Sequence, residues 1–169
     1  MGTFSNMDER IEKMNQVAQH GNIGAFFILI REDVKLLEDI NQLPFVDTPL
    51  HIAASAGHIP MAMELMRLMP SFAWKPNTDG FSPIHLDLLN GQTQMVLRLL
   101  KVDGGPCTCP RKGGYDSFAL CCNKDIHLEL LDEFLKVCPQ SIKDVTIQNE
   151  NALHIALKYD KLEAFLHLV

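Results

Sequence analysis

"TPLHIAASAGH", residues 48–58, decides the fold. It opens on a threonine, sets a proline directly after it, runs through small apolar residues and stops at Gly57. A short polar side chain accepts a hydrogen bond from a free N–H of a first helical turn. Proline suits the first helical position, where no donor is required. Thirty-four residues on, the chain reads Ser82-Pro83-Ile84-His85-Leu86. After 34 more it reads Asp116-Ser117-Phe118-Ala119-Leu120, and after another 35, Asn151-Ala152-Leu153-His154-Ile155. Thr48, Ser82, Asp116 and Asn151 keep the capping chemistry while the wording decays. Nine residues after each cap stand Gly57, Gly91, Asp125 and Asp160. Glycine enters the left-handed conformation without strain, and aspartate more readily than most residues.

Counting back 36 from Gly57 gives Gly21, so a more divergent unit comes first. Its helix is expected to start at Ser5 or Asn6, with Met7, Ile11, Met14 and Ala18 along one face. A second helix follows each stop. Six residues beyond the stops are Phe27, Met63, Leu97, Leu131 and Leu166; nine beyond are Ile30, Met66, Leu100, Phe134 and Val169. Five beyond are Phe26, Ala62, Val96, Leu130 and Phe165. All are apolar and are expected to be buried. Caps, stops and apolar positions in one phase predict an array of helix–turn–helix repeats. The units run over 6–43, 44–77, 78–111, 112–146 and 147–169. The first and fourth are divergent and the last is incomplete.

Composition narrows the function classes. A chain of 169 residues that is 47% hydrophobic is not disordered. A net charge of −6 with no basic cluster argues against nucleic acid as partner. No signal peptide is visible at the N-terminus. The best apolar run, "IGAFFILI", has eight residues, whereas a membrane span needs roughly 20. The chain as given therefore reads as soluble and intracellular. Val169 falls inside the second helix of the fifth unit, and terminal repeats need a polar outer face. The natural protein is expected to continue.

The five cysteines are Cys107, Cys109, Cys121, Cys122 and Cys138, an odd count that argues against a disulfide framework. Zinc sites show paired C-x2–4-C spacing, which C-x-C and C-C lack. Cys121 and Cys122 are expected to fill the place of Ala53 and Ala54 as small hydrophobes. Cys107 and Cys109 lie in a Gly/Pro-rich loop, where exposed, reactive thiols are expected. The Met-rich "MAMELMRLM" has the spacing of helix packing. Asp87 falls where a small residue is expected in its helix. A buried unpaired carboxylate is costly, so a hydrogen-bonding partner is the first expectation and a surface role the second. No phosphate loop, catalytic carboxylate pair or nucleophile–base order emerges, so no enzyme activity, metal or cofactor is expected.

The period and wording resemble the ankyrin repeat, whose signature is T-P-L-H-x-A over about 33 residues. "TPLHIAASAGH" is a near-consensus match; "SPIHLDLLNGQ" and "NALHIALKYDK" are partial ones. The resemblance implies an all-α solenoid of paired antiparallel helices with projecting β-turn fingers. It implies structural roles for Thr48, His51, Gly57, Ser82, His85, Gly91, Asn151 and His154, the histidines tying neighbouring turns together through backbone groups. Ala119 replaces that histidine in the fourth unit, whose junction should be weaker. It also implies that function is surface recognition by the fingers and the concave face. The residues just before each cap and each stop would carry it. These are Val46, Asp47, Ser55 and Ala56, then Thr78, Asp79, Phe81, Leu89 and Asn90. They continue with Arg111, Lys112, Tyr115, Asn123 and Lys124, then Gln148, Asn149, Lys158 and Tyr159. Phe81, Tyr115 and Tyr159 would be aromatic anchors; stacking of finger on finger explains Phe81 and Tyr115 equally well.

The linker stretches "LMPSFAWKPN" and "VCPQSIKDV" narrow the resemblance to the plant ankyrin-repeat membrane proteins of the BDA1-like group. That group implies an adaptor in innate immunity and cell-death signalling. Its members carry a cytosolic ankyrin array before transmembrane helices and act with receptor-like proteins at the plasma membrane. The partner implied is another protein, such as a receptor-like protein or the C-terminal region of the same protein. Membrane attachment would come only through segments absent from this chain. The stretch "VDGGPCTCPRKGGYDSFALCC" departs from the group's wording. The alternative function is a regulatory domain that binds a small ligand or metal through the segment Cys107 to Cys122.

Overall fold

The computed structural model describes residues 3–101 and 151–163, together with residues 130, 132, 133, 136 and 166. Among the described residues every regular element is helical, in agreement with the expected all-α class. The chain divides into two compact units, Met1–Pro83 and Ile84–Val169.

The N-terminal unit holds α1 (Thr3–His20), α2 (Ile23–Glu32), α3 (Leu36–Gln42), α4 (Pro49–Ser55), α5 (Ile59–Leu68) and a 3-10 helix, Pro70–Trp74. Helix α1 packs on α2, α3 and α4, and α5 packs on α4 and the 3-10 helix. The first helix starts at Thr3 rather than at Ser5 or Asn6, so both expected caps lie inside it. Its expected face holds: Met14 and Ala18 are buried, Met7 and Ile11 half-buried.

The stops share one backbone geometry. Gly21, Gly57, Gly91 and Asp160 have φ of +63°, +75°, +69° and +54°. At the first, the Gly21 N–H bonds to the Ala18 carbonyl and the Asn22 N–H to that of Val17, at 3.1 and 3.2 Å. The same pair of bonds recurs at Gly57/His58, Gly91/Gln92 and Asp160/Lys161. This is the Schellman closure, in which a left-handed residue lets two N–H groups reach back to the last free carbonyls. Asn22 goes further, its side chain capping α2 through the Ala25 N–H at 3.0 Å.

Burial sharpens the second-helix register. The residues five beyond the stop, Phe26, Ala62, Val96 and Leu130, are at most 1% exposed. Those six beyond are not core: Phe27 is 43% and Leu166 73% exposed, and Met63 and Leu97 are half-buried. One residue turns a helix by about 100°, so neighbouring positions face different surroundings. Met61 and Met66 are buried, as packing of the Met-rich helix requires.

The linkers are more ordered than their wording suggests. One becomes α3, burying Leu36, Leu37 and Ile40; the next becomes the 3-10 helix, burying Phe72 and Ala73. Asn41 joins the two linkers, its side-chain oxygen accepting from Ser71 Oγ at 3.0 Å and its carbonyl from Lys75 Nζ. Arg10 of α1 reaches Asp33 and Asp39 on either side of the α2–α3 junction, at 2.5 and 3.1 Å. These groups are about a third exposed, so the pairs contribute at most ~1 kcal/mol each.

The C-terminal unit contains α6 (Pro83–Asn90, its first residue at the boundary), α7 (Thr93–Leu100) and a helix at Ala152–Lys158. Ile84, Leu88, Met95, Val96, Leu99, Leu100, Leu130 and Ala156 are buried there. Among the described residues, no helix is long and apolar enough to cross a membrane. The expectations for Cys107, Cys109, Cys121, Cys122, Ala119 and Asp125 lie outside the described residues.

Candidate functional site

The finger between the second and third caps is built by one residue, Asn77. It is 4% exposed, and a buried amide must satisfy its donors and acceptors. Its Oδ1 accepts from the backbone N–H groups of Asp79 and Phe81, at 3.0 and 2.9 Å. Its own N–H donates to the Phe81 carbonyl at 2.8 Å, and its carbonyl accepts from the Gly80 N–H at 3.0 Å. The remaining donor, Nδ2, reaches Asp47 Oδ1 in the preceding turn at 2.9 Å. Gly80 completes the turn at φ +84°, where a side chain would be strained. The string "NTDG" carried this signal, since asparagine bonds to backbone two residues on and glycine supplies positive φ.

His51 fastens the base of the finger. Its Nδ1 accepts from the Thr48 N–H at 3.1 Å and lies 2.8 Å from Thr48 Oγ1. The proton therefore sits on Nε2, which donates to the Phe81 carbonyl at 3.0 Å. Thr48 and His51 form a capping box at the start of α4, and the same histidine holds the next turn. This is the tie between turns expected of His51. Asn151 and His154 repeat the local half of the arrangement. The Asn151 N–H donates to His154 Nδ1 at 3.2 Å, and the His154 N–H to Asn151 Oδ1 at 3.1 Å. His154 is exposed, whereas His51, Ser82 and His85 are buried.

A second tie runs along the opposite turns. His58 Nε2 donates to the Gln19 carbonyl at 2.9 Å. Its ring lies over Gly21, where a Cβ would sit 2.7 Å from ring atoms. Gly21 is thus glycine for two reasons, its φ and its neighbour.

These ties place the candidate residues. Thr78 and Asp79 are exposed at the fingertip, and Phe81 is half-buried at its base. Val46 and Asp47 are half-buried, Asp47 being committed to Asn77. Ser55 and Ala56 are half-buried at the end of α4, as is Leu89 at the end of α6, where Asn90 is exposed. Lys158 and Tyr159 are exposed, with Lys158 Nζ 5.9 Å from the Tyr159 ring centre. Arg111, Lys112, Tyr115, Asn123, Lys124, Gln148 and Asn149 lie outside the described residues. Sequence reasoning missed Asn77 and Gly80, which shape the finger without being its tip.

Asp87 corrects its first expectation. It is fully buried in α6, and neither carboxylate oxygen has a hydrogen-bonding partner among the described residues. Burial alone pushes its pKa up to about 8. No group of three or more His, Cys, Asp or Glu side chains among the described residues could hold a metal ion.

The model of the family described as Ankyrin repeats (3 copies) matches residues 14–109, more than half of the chain. The Arabidopsis thaliana protein named Ankyrin repeat-containing protein BDA1 is 44% identical over 70 residues. That stretch is 41% of this chain and 16% of the relative, so the likeness spans about one-sixth of the relative's length. The capping box of Thr48 and His51, the recurring glycine closures and the histidine-anchored finger are thus one inheritance, and the chain belongs to the ankyrin-repeat family.

Proposed function

We propose that this chain is the non-catalytic, protein-binding part of a plant innate-immunity signalling adaptor. It acts in the cytoplasm at the inner face of the plasma membrane, and it binds a receptor-like protein or another region of its own protein. Ankyrin repeats indicate a protein-interaction module. The plant placement is supported by the likeness to BDA1 over 70 residues. The five-unit division of the array belongs to the same proposal, as do the recognition residues.

One observation carries the reading of the site. Asn77 and His51 commit their polar groups to a rigid turn, which leaves the side chains of Thr78 and Asp79 exposed at its tip. A preformed turn loses little conformational entropy on binding, which favours recognition by the tip. Asn90, Lys158 and Tyr159 are the exposed members of the proposed set in the C-terminal unit. Exposed Tyr159 and half-buried Phe81 are the aromatic members of this set among the described residues.

The test is a binding series against the cytosolic tails of plant receptor-like proteins and the remaining segments of the parent protein. One or more of them should bind, and Thr78→Arg with Asp79→Arg should weaken that binding at least about tenfold, or ~1.4 kcal/mol. Binding to none of them, or binding indifferent to the fingertip, would overturn the proposal.

A further inference from the structure

The outer face of the first helix pair carries a cleft of about 420 Å³ between α1 and α2. Val17, Ala25, Ile28 and Leu29 form its apolar wall, and Lys13 and His20 line it from α1. The two basic groups are the only ionisable side chains among the lining residues. Val17, Ala25 and Leu29 are half-buried, and Ile28 is 50% exposed beside Phe27 at 43%. In the next helix pair the residues in phase with Val17, Ala25 and Leu29 are Ala53, Met61 and Leu65. Those three are fully buried, and α1 lies along α4. The same register is therefore covered in one helix pair and open in the other. A repeat whose outer face is apolar leaves a stacking surface for another element.

We propose that this cleft seats an amphipathic helix from a partner protein, with an apolar stripe and acidic flanking residues. Paired antiparallel helices form a groove that takes a helix by its i, i+3, i+4 and i+7 side chains. The basic lining selects the flanks. Like-charge repulsion between two chains of net charge −6 disfavours a second copy as the occupant. The surface differs from the fingertip of the proposed function, so the two succeed or fail separately.

The test uses the whole chain and two fluorescent helical peptides. Both keep the apolar positions of α1, namely Met7, Ile11, Met14 and Ala18, because α1 covers the next face of this register. One peptide has glutamate at the flanking positions and the other lysine. The acidic peptide should bind saturably and the basic one at least about tenfold more weakly. Ile28→Asp should weaken the acidic peptide about tenfold or more, Lys13→Glu about threefold, and Asp79→Arg not at all. Ile28 and Lys13 are exposed, and circular dichroism confirms that each variant is folded. The proposal is overturned if the acidic peptide does not bind, if both peptides bind alike, or if Ile28→Asp changes nothing. It is also overturned if sedimentation shows self-association that Ile28→Asp abolishes, since the occupant would then be a second copy.

Discussion

Helices α4 and α6 have one sequence grammar and opposite interiors. Both begin at a proline after a hydroxyl residue, carry a histidine two residues later, and close on a glycine. Four residues before that glycine, α4 has Ala53 and α6 has Asp87, and both are fully buried. The helix at Ala152–Lys158 has Ala156 at this register, also fully buried. The repeat thus asks for a small apolar side chain, and α6 holds a carboxylate without a partner among the described residues. The lesson is that caps and closures suffice to set a helix in place, while the side chain at the interior register sets how stable that placement is.

Exchanging the two residues tests this most severely. Ala53→Asp puts an unpaired carboxylate into α4 and should cost on the order of 4 kcal/mol in urea denaturation. A loss below about 1 kcal/mol would show that the register tolerates charge anywhere.

The reverse exchange, Asp87→Ala, should stabilise the protein, and the gain should depend on pH. The folded pKa is raised from 3.8 to about 8. Between those values the folded state holds a proton that the unfolded chain has released. The wild-type protein therefore loses stability as pH rises through this window, by up to ~1.4 kcal/mol per unit. Asp87→Ala removes that slope. Its advantage should grow by roughly 3–4 kcal/mol between pH 5 and pH 8. An advantage independent of pH would show that Asp87 has the same protonation state folded and unfolded.

The closing turns extend the contrast. Gly21 and Gly91 have nearly the same φ, yet the His58 ring crowds the first, while a Cβ on the second meets nothing within 4 Å. Gly91→Ala should cost only the backbone term, about 1–2 kcal/mol. Gly21→Ala should cost about 1 kcal/mol more, because His58 must move and its bond to Gln19 is strained. Equal melting shifts would mean that the His58 ring gives way freely. The smallest effect belongs to the fingertip, where Asp79→Ala should change stability by less than about 0.5 kcal/mol.

What was legible in the sequence was local. A cap is recognised by its own side chain and a closure by its own φ, so Thr48, Asn151, Gly21, Gly57, Gly91 and Asp160 stand where the spacing put them. Features that depend on neighbours were less legible. Phe26 and Phe27 are both apolar, and only packing shows that the first is core and the second exposed. The linker helices bury Ile40 and Phe72, although neither stretch is long enough for a helical period to show. Ser5 and Asn6 look like caps, but α1 continues through them to Thr3. At the site, Thr78 and Asp79 are exposed at the tip of the turn, whereas the role of Asn77 beneath them depends partly on its bond to Asp47 in the preceding turn, which local wording does not show.

The most direct measurement of protein recognition by the finger is site-specific photo-crosslinking in plant cells. The crosslinker is placed at residue 78 and, as an exposed reference outside the finger, at residue 35. The account predicts a discrete protein adduct from position 78 that is absent from position 35 and lost with Asp79→Arg. The same adducts from both positions, or none from position 78, would contradict it.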